Sequence, residues 1–184
     1  MRLFTGISVA PDVLANLSKL LDTLQPTADV KWSRAENLHI TTKFIGEWPE
    51  ERLNEMIEAL RRASAGPPIE ISVNGLGWFP NPHSPRVLVA AVHAPESLRK
   101  LAHSIDETTR GLGVPMETRP YSPHLSLAKI KNPGRLFPLK QAIASLPTVD
   151  FGSFTARDFH LYLSKTSPSG SVYTRLADFS LANS

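Results

Sequence analysis

Residues 37–46, NLHITTKFIG, constrain the fold of this chain more than any other stretch. They alternate with the period of two of a β-strand. Leu38, Ile40, Thr42 and Phe44 fall on one face; His39, Thr41 and Lys43 fall on the other. The first face is apolar enough to be buried. The second carries an imidazole, a hydroxyl and an ammonium in a row, about 6–7 Å between successive same-face positions. That row is suited to holding a phosphate. Residues 123–129, PHLSLAK, repeat the pattern and put His124 and Ser126 on one face of a second strand. Both histidines are flanked by strong apolar residues, Leu38 and Ile40 for the first, Leu125 and Leu127 for the second.

The rest of the chain must bury those apolar faces. Its 184 residues suffice for one domain with a sizeable core or two small lobes sharing one. Hydrophobic content of 41% with 20% charged residues reads as soluble and globular. No apolar run approaches the ~20 residues needed to cross a bilayer. The opening MRLFTGISVA fits a first strand better than a secretory signal. With no cysteine, disulfides, thiolate nucleophiles and Cys-based metal sites are excluded, and a reducing cytoplasm is the default. The net charge of +3 is too small for a non-specific DNA binder and is compatible with a phosphate-bearing substrate.

Periodicity and breakers divide the chain. Residues 2–9 read as a strand. Pro11 suits the first turn of a helix that carries Val13, Leu14, Leu17, Leu20, Leu21 and Leu24 and ends near Gln25–Pro26. Residues 30–33 are a short strand or connector before the first histidine strand. Pro49 opens a second helix with Leu53, Ile57 and Leu60 inward, stopped by Gly66-Pro67-Pro68. Residues 69–79 and 86–93 are strands around a loop with three prolines. Residues 96–111 form a third helix with Leu98, Leu101, Ile105 and Thr109 on one stripe. The second histidine strand lies within residues 120–130 and a short helix at 139–146. Residues 151–163 and 172–179 are two final strands, a hairpin around residues 165–171. The order β-α-β-α-β-β-α-β-α-β-β has one His-x-hydroxyl strand in each half, the mark of a diverged internal duplication. Strand-loop-strand junctions favour antiparallel pairing, so the class is α+β.

KWSRAENLHITTKFIG and RPYSPHLSLAKI resemble the paired signatures of the 2H phosphoesterase superfamily, and within it the RNA 2′,3′-cyclic phosphodiesterases once described as 2′-5′ RNA ligases. The resemblance rests on H-x-[ST] in each half, on Trp32, Arg34, Asn37 and Leu38 before the first motif, and on Phe44, Ile45 and Gly46 after it. Pro123 precedes the second motif, and the tail LYLSKTSPSGSVYTRLADFSL resembles the family's closing hairpin. It covers nearly the whole chain. Two departures are visible: Ser126 stands where Thr is commonest, and Lys129 where the family often has Arg. Lys keeps the charge and loses bidentate contact. Strict alternation points Lys129 away from His124, so a bulge or strand end is required to bring it to the site.

The resemblance implies a single bilobal α+β domain over residues 1–184, with two antiparallel sheets, helices outside and a central cleft taking one histidine from each lobe. It implies His39 and His124 as the catalytic pair, His39 as acid and His124 as base, with Thr41, Ser126 and Lys129 on the phosphate. It also implies RNA ends bearing a 2′,3′-cyclic phosphate as partner and a monomer free of membrane. The chemistry agrees. Opening a cyclic phosphodiester by water needs a base near the water, an acid near O3′ and donors on the non-bridging oxygens. No metal or other cofactor is called for, and HxH, HExxH and carboxylate clusters are absent. The same site would serve a 2′-5′ ligase, and a non-catalytic RNA-binding module is the alternative of another class. His83, His93, His103 and His160 lack a matching hydroxyl and read as structural or exposed. Lys43, Arg34 and Arg119 are either nucleic-acid contacts or solvated surface. Phe44 reads as core, and Tyr121 and Tyr173 as packing at the cleft border.

Overall fold

The two histidine strands lie in different sheets. The computed structural model describes residues 1–63 and 66–182. Its elements are β1 (Arg2–Ser8), α1 (Pro11–Leu24), β2 (Lys31–Trp32), β3 (His39–Glu47), α2 (Leu53–Ala63), β4 (Ile69–Phe79), β5 (Val87–His93), α3 (Glu96–Arg110), β6 (His124–Lys129), α4 (Phe137–Ala144), β7 (Asp150–Ala156), β8 (Asp158–Ser167) and β9 (Gly170–Ser180). One sheet has the order β3-β1-β8-β9, the other β2-β6-β5-β4-β7, and every pairing is antiparallel. This is the α+β architecture expected.

Each sheet has one face against helices. α3 packs on β3 and α2 on β9, while α1 lies against β7 and α4. α1 starts on Pro11 and buries Val13, Leu17, Leu20, Leu21 and Leu24, one stripe at helical spacing. In α3 the expected stripe is buried, and one acid, Asp106, is buried beside it. In α2 the buried residues are Met56, Ala59, Leu60 and Ala63, with Leu53 and Ile57 half-buried at their side. The helix-facing residues of both sheets, such as Ile40 and Leu161 in one and Leu88 and Leu125 in the other, belong to one hydrophobic cluster. The sheets also interleave along the chain: α1 and β4 serve the second sheet, whereas β8 and β9 return to the first. Neither sheet is thus a contiguous half of the sequence. No helix among the described residues is long and apolar enough to cross a membrane.

Two expectations about elements are corrected. Residues 151–163 are not one strand. β7 pairs with β4 in one sheet, β8 pairs with β1 in the other, and the chain changes sheet at exposed Arg157, whose carbonyl accepts from the Leu181 amide. Alternation sees only extended backbone, which both strands have. The last helix begins at Phe137 rather than Leu139, because Pro138 is accommodated in its first turn.

Candidate active site

The sheet faces turned away from the helices line one cleft of about 1380 Å³. His39, Thr41, Phe44 and Tyr173 come to it from the first sheet, and His124, Ser126 and Lys129 from the second. Arg34, Arg99, Lys100 and Arg119 add positive charge to its walls.

The two half-sites are built alike. His39 Nδ1 donates to the carbonyl of Asn37 at 2.7 Å, and His124 Nδ1 to that of Ser122 at 2.9 Å, two residues upstream in both cases. A carbonyl can only accept, so each Nδ1 keeps its proton and Nε2 is the atom that takes or gives one. Thr41 and Ser126 follow two residues on. Thr41 Oγ1 lies 2.9 Å from His39 Nε2. The carbonyls of these hydroxyl residues also match: that of Thr41 accepts from Tyr121 Oη at 2.7 Å, that of Ser126 from Ser33 Oγ at 2.7 Å.

Both motifs then carry a β-bulge at the same place. Gly6 faces Thr41 and Thr5 faces Lys43, which leaves Thr42 as the extra residue in β3. Val89 faces Ser126 and Leu88 faces Ala128, which leaves Leu127 extra in β6. A bulge shifts the alternation by one residue and re-aims the side chains beyond it. Phe44 and Lys129, each five residues after its histidine, therefore enter the cleft.

The bulge in β3 corrects two expectations. Lys43 leaves the row of His39 and Thr41. It is buried, 3% exposed, with its ammonium 2.7 Å from Asp106 Oδ1 and 2.8 Å from the carbonyl of Pro115. Phe44, read as core, is 67% exposed on the cleft side. The bulge in β6 is the feature that Lys129 required. Thr42 stays on the core face, its hydroxyl 2.6 Å from that of Thr5.

The surroundings of the histidines differ. His39 stacks on Phe4 with ring centroids 4.6 Å apart and meets Tyr173 edge-on at 5.2 Å; Phe4 stacks in turn on Tyr162. Burial lowers the pKa of His39 below 6.5, partly opposed by the bond to the Asn37 carbonyl. Gly6 makes the stack possible: a Cβ there would stand 3.0 Å from the Ile40 oxygen and 3.2 Å from His39 Cδ2. His124 is more open, with Phe79 at 5.2 Å between centroids. Asn37 also ties β3 to the β8–β9 hairpin by donating to the Ser171 carbonyl.

Of the other histidines, His160 is buried, with Nδ1 2.8 Å from Asp178 Oδ1 and Nε2 3.2 Å from Ser8 Oγ. His83 and His93 are exposed, and His103 pairs with Glu107. Arg34, Arg119, Tyr121 and Tyr173 all line the cleft. Phe4, Gly6 and Ser33 were not singled out from sequence. One signal was available: Phe44 and Lys129 occupy equal offsets from their histidines.

The family model "LigT like Phosphoesterase" matches twice, at residues 7–89 and 90–173, one match for each half-site motif. The chain belongs to the LigT-like phosphoesterases. That bears out the resemblance read from the motifs. A relative from Methanothermobacter thermautotrophicus, named RNA 2′,3′-cyclic phosphodiesterase, is 34% identical over 98% of this chain and 99% of its own. One of the same name from Archaeoglobus fulgidus is 34% identical over 97% of this chain and 99% of its own. The crystal structure of TT0787 of Thermus thermophilus covers 100% of this chain and 99% of that one, at TM-score 0.83 and 30% identity.

Proposed function

We propose that this protein hydrolyses RNA 2′,3′-cyclic phosphodiester ends to 2′-phosphomonoesters, with His39 and His124 as an acid–base pair and no metal ion. The observation that carries the proposal is the matched pair of Nδ1–carbonyl bonds, which leaves both imidazoles in one cleft to act through Nε2. The names of the curated relatives support the substrate.

Water attacks phosphorus in line with the P–O3′ bond. The water–phosphorus bond forms and P–O3′ breaks. One imidazole takes the water proton, the imidazolium opposite gives its own to O3′, and the phosphate stays on O2′. Each transfer is worth ~10²–10⁴-fold. Thr41 and Ser126 donate to non-bridging oxygens, and Lys129 adds charge. Without substrate, neutral His39 keeps its proton on Nδ1 and Nε2 accepts from the Thr41 hydroxyl at 2.9 Å; substrate replaces that bond, which turns the hydroxyl to a phosphate oxygen and leaves Nε2 for the proton transfer. Phe44 offers a flat face to a base.

The family resemblance gives His39 the acid role and His124 the base role. The buried setting of His39 favours its neutral form and supports a second reading with the roles exchanged. A p-nitrophenyl phosphodiester, whose leaving group needs no proton, separates them: the variant lacking the acid keeps substantial activity and the one lacking the base does not. In this reading residues 1–184 act as one bilobal domain, monomeric and cytoplasmic.

The test is an RNA oligonucleotide with a 2′,3′-cyclic end, incubated with EDTA. The expected product is the 2′-phosphate. No turnover, or turnover lost with EDTA and restored by a divalent metal, overturns the proposal.

A further inference from the structure

Lys43 is a buried cation that the chemistry above does not use. Its side chain is 1% exposed, and Nζ has three acceptors: Asp106 Oδ1 at 2.7 Å, the Pro115 carbonyl at 2.8 Å and Glu117 Oε1 at 3.5 Å. Asp106, on α3, also accepts from the Glu117 amide, at 3.3 Å on Oδ1 and 3.2 Å on Oδ2. Both residues therefore grip residues 115–117.

That grip matters because the gripped segment leads to the second histidine. Residues 115–123 have no helix or strand and run directly into His124. They pass from α3, packed on the first sheet, to β6 in the second. Ser122, near their end, supplies the carbonyl that holds His124 Nδ1. A second tie sits just before it: Tyr121 Oη donates to the Thr41 carbonyl, and Arg99 Nη1 donates to the Tyr121 carbonyl. The β3 segment of Thr41, Thr42 and Lys43 is thus bonded to both ends of the strap, which in turn orients the histidine of the other sheet.

We propose that Lys43 and Asp106, with Tyr121, are positioning residues through which the first half-site sets the tautomer and orientation of His124. The proposal rests on the acid–base reading for its effect on turnover. Its geometric content does not depend on that reading. Replacing a buried ion pair by well-packed apolar residues is often neutral or stabilising, so stability alone does not account for this one. Here the ammonium meets a backbone carbonyl as well as a carboxylate, which fixes the course of the strap and not merely its attachment.

The test uses full-length protein labelled with ¹⁵N-histidine, in which nitrogen chemical shifts report the tautomer of His124, alongside steady-state kinetics. The variants are Lys43→Met, Asp106→Asn and Tyr121→Phe. The wild type shows His124 as the Nδ1–H tautomer. In folded Lys43→Met and Asp106→Asn, His124 becomes a mixture of tautomers, and kcat falls about 10-fold or more with KM near wild type, as expected of a misplaced group. Tyr121→Phe shifts His124 in the same direction, and Tyr121→Phe combined with Asp106→Asn costs less than the product of the two. If Lys43→Met does not fold, Asp106→Asn decides. A folded Asp106→Asn variant with the wild-type His124 tautomer overturns the proposal. Absence of turnover in the wild type defeats the acid–base reading instead and leaves the tautomer comparison to judge this one.

Discussion

The Phe4 ring lies against the imidazole of His39, centroids 4.6 Å apart and planes 28° from parallel. Phe4 is 4% exposed and also stacks on Tyr162 at 5.0 Å, whose ring lies 5.9 Å from that of His39. A positive charge on His39 would therefore lose solvation on this side. The aromatic wall lowers the proton affinity of His39, and stability then depends on pH in a defined direction.

In the unfolded chain His39 titrates near 6.5, and in the folded protein below it. Between those values the unfolded state binds more protons, so the stability held above pH 6.5 is lost as pH falls toward the folded value. Melting temperatures measured from about pH 7 to about pH 5 should fall more steeply in the wild type than in His39→Gln. Parallel slopes would contradict the burial argument.

Gly6→Ala tests the same contact sterically. The new methyl would stand 3.2 Å from His39 Cδ2 and 3.0 Å from a backbone oxygen that cannot swing away. The imidazole must give by a few tenths of an ångström, and misplacement of a reacting group by about 1 Å costs on the order of 10²-fold, so the loss is smaller than that. Turnover should drop by less than about 10²-fold but measurably, while circular dichroism stays native. A native variant with full turnover would show that His39 need not sit where it does.

Thr41→Ala and Ser126→Ala each remove one donor from the transition state. Each should lower kcat by at most about 2.7–4 kcal/mol, less than loss of a histidine. Rates equal to wild type in both would remove the hydroxyls from the mechanism.

Phe44→Ala should leave stability within about 0.5 kcal/mol, since the ring is 67% exposed. It should weaken binding of RNA ends by about 1–3 kcal/mol if a base stacks there. Lys129→Gln should weaken binding and reduce the dependence of log K on log salt by about one phosphate contact. Unchanged affinity in Phe44→Ala would return that residue to the role of mere surface.

The sequence displayed some of this and concealed the rest for identifiable reasons. His39, Thr41, His124 and Ser126 were legible because each pair stands two residues apart, within the regular stretch of its strand. Lys43 and Phe44 were misread because the bulge at Thr42 reverses the alternation that had been correct up to that point. A bulge is fixed by pairing with another strand, here β1, and local periodicity carries no trace of that partner. The same rule read in β6 required a bulge for Lys129, and the register supplies it at Leu127. The helical stripes of α1 and α3 were plain, including buried Thr109, because tertiary packing and propensity agree there. The break at Arg157 was hidden because two strands in different sheets have the same extended backbone. Ser33 and Tyr121 act on the carbonyls of distant residues, and such contacts have no local signature.

In the proposed mechanism two imidazoles, one from each sheet, share the chemistry. Single-turnover kinetics of wild type, His39→Ala, His124→Ala and the double variant on an RNA with a 2′,3′-cyclic end test it most directly, with EDTA present and the fold of each variant verified. Each single variant should lose about 10²–10⁴-fold, and the double variant far less than the product of the two, as residues acting as a unit do. A folded single variant that opens the cyclic phosphate at the wild-type rate would contradict it.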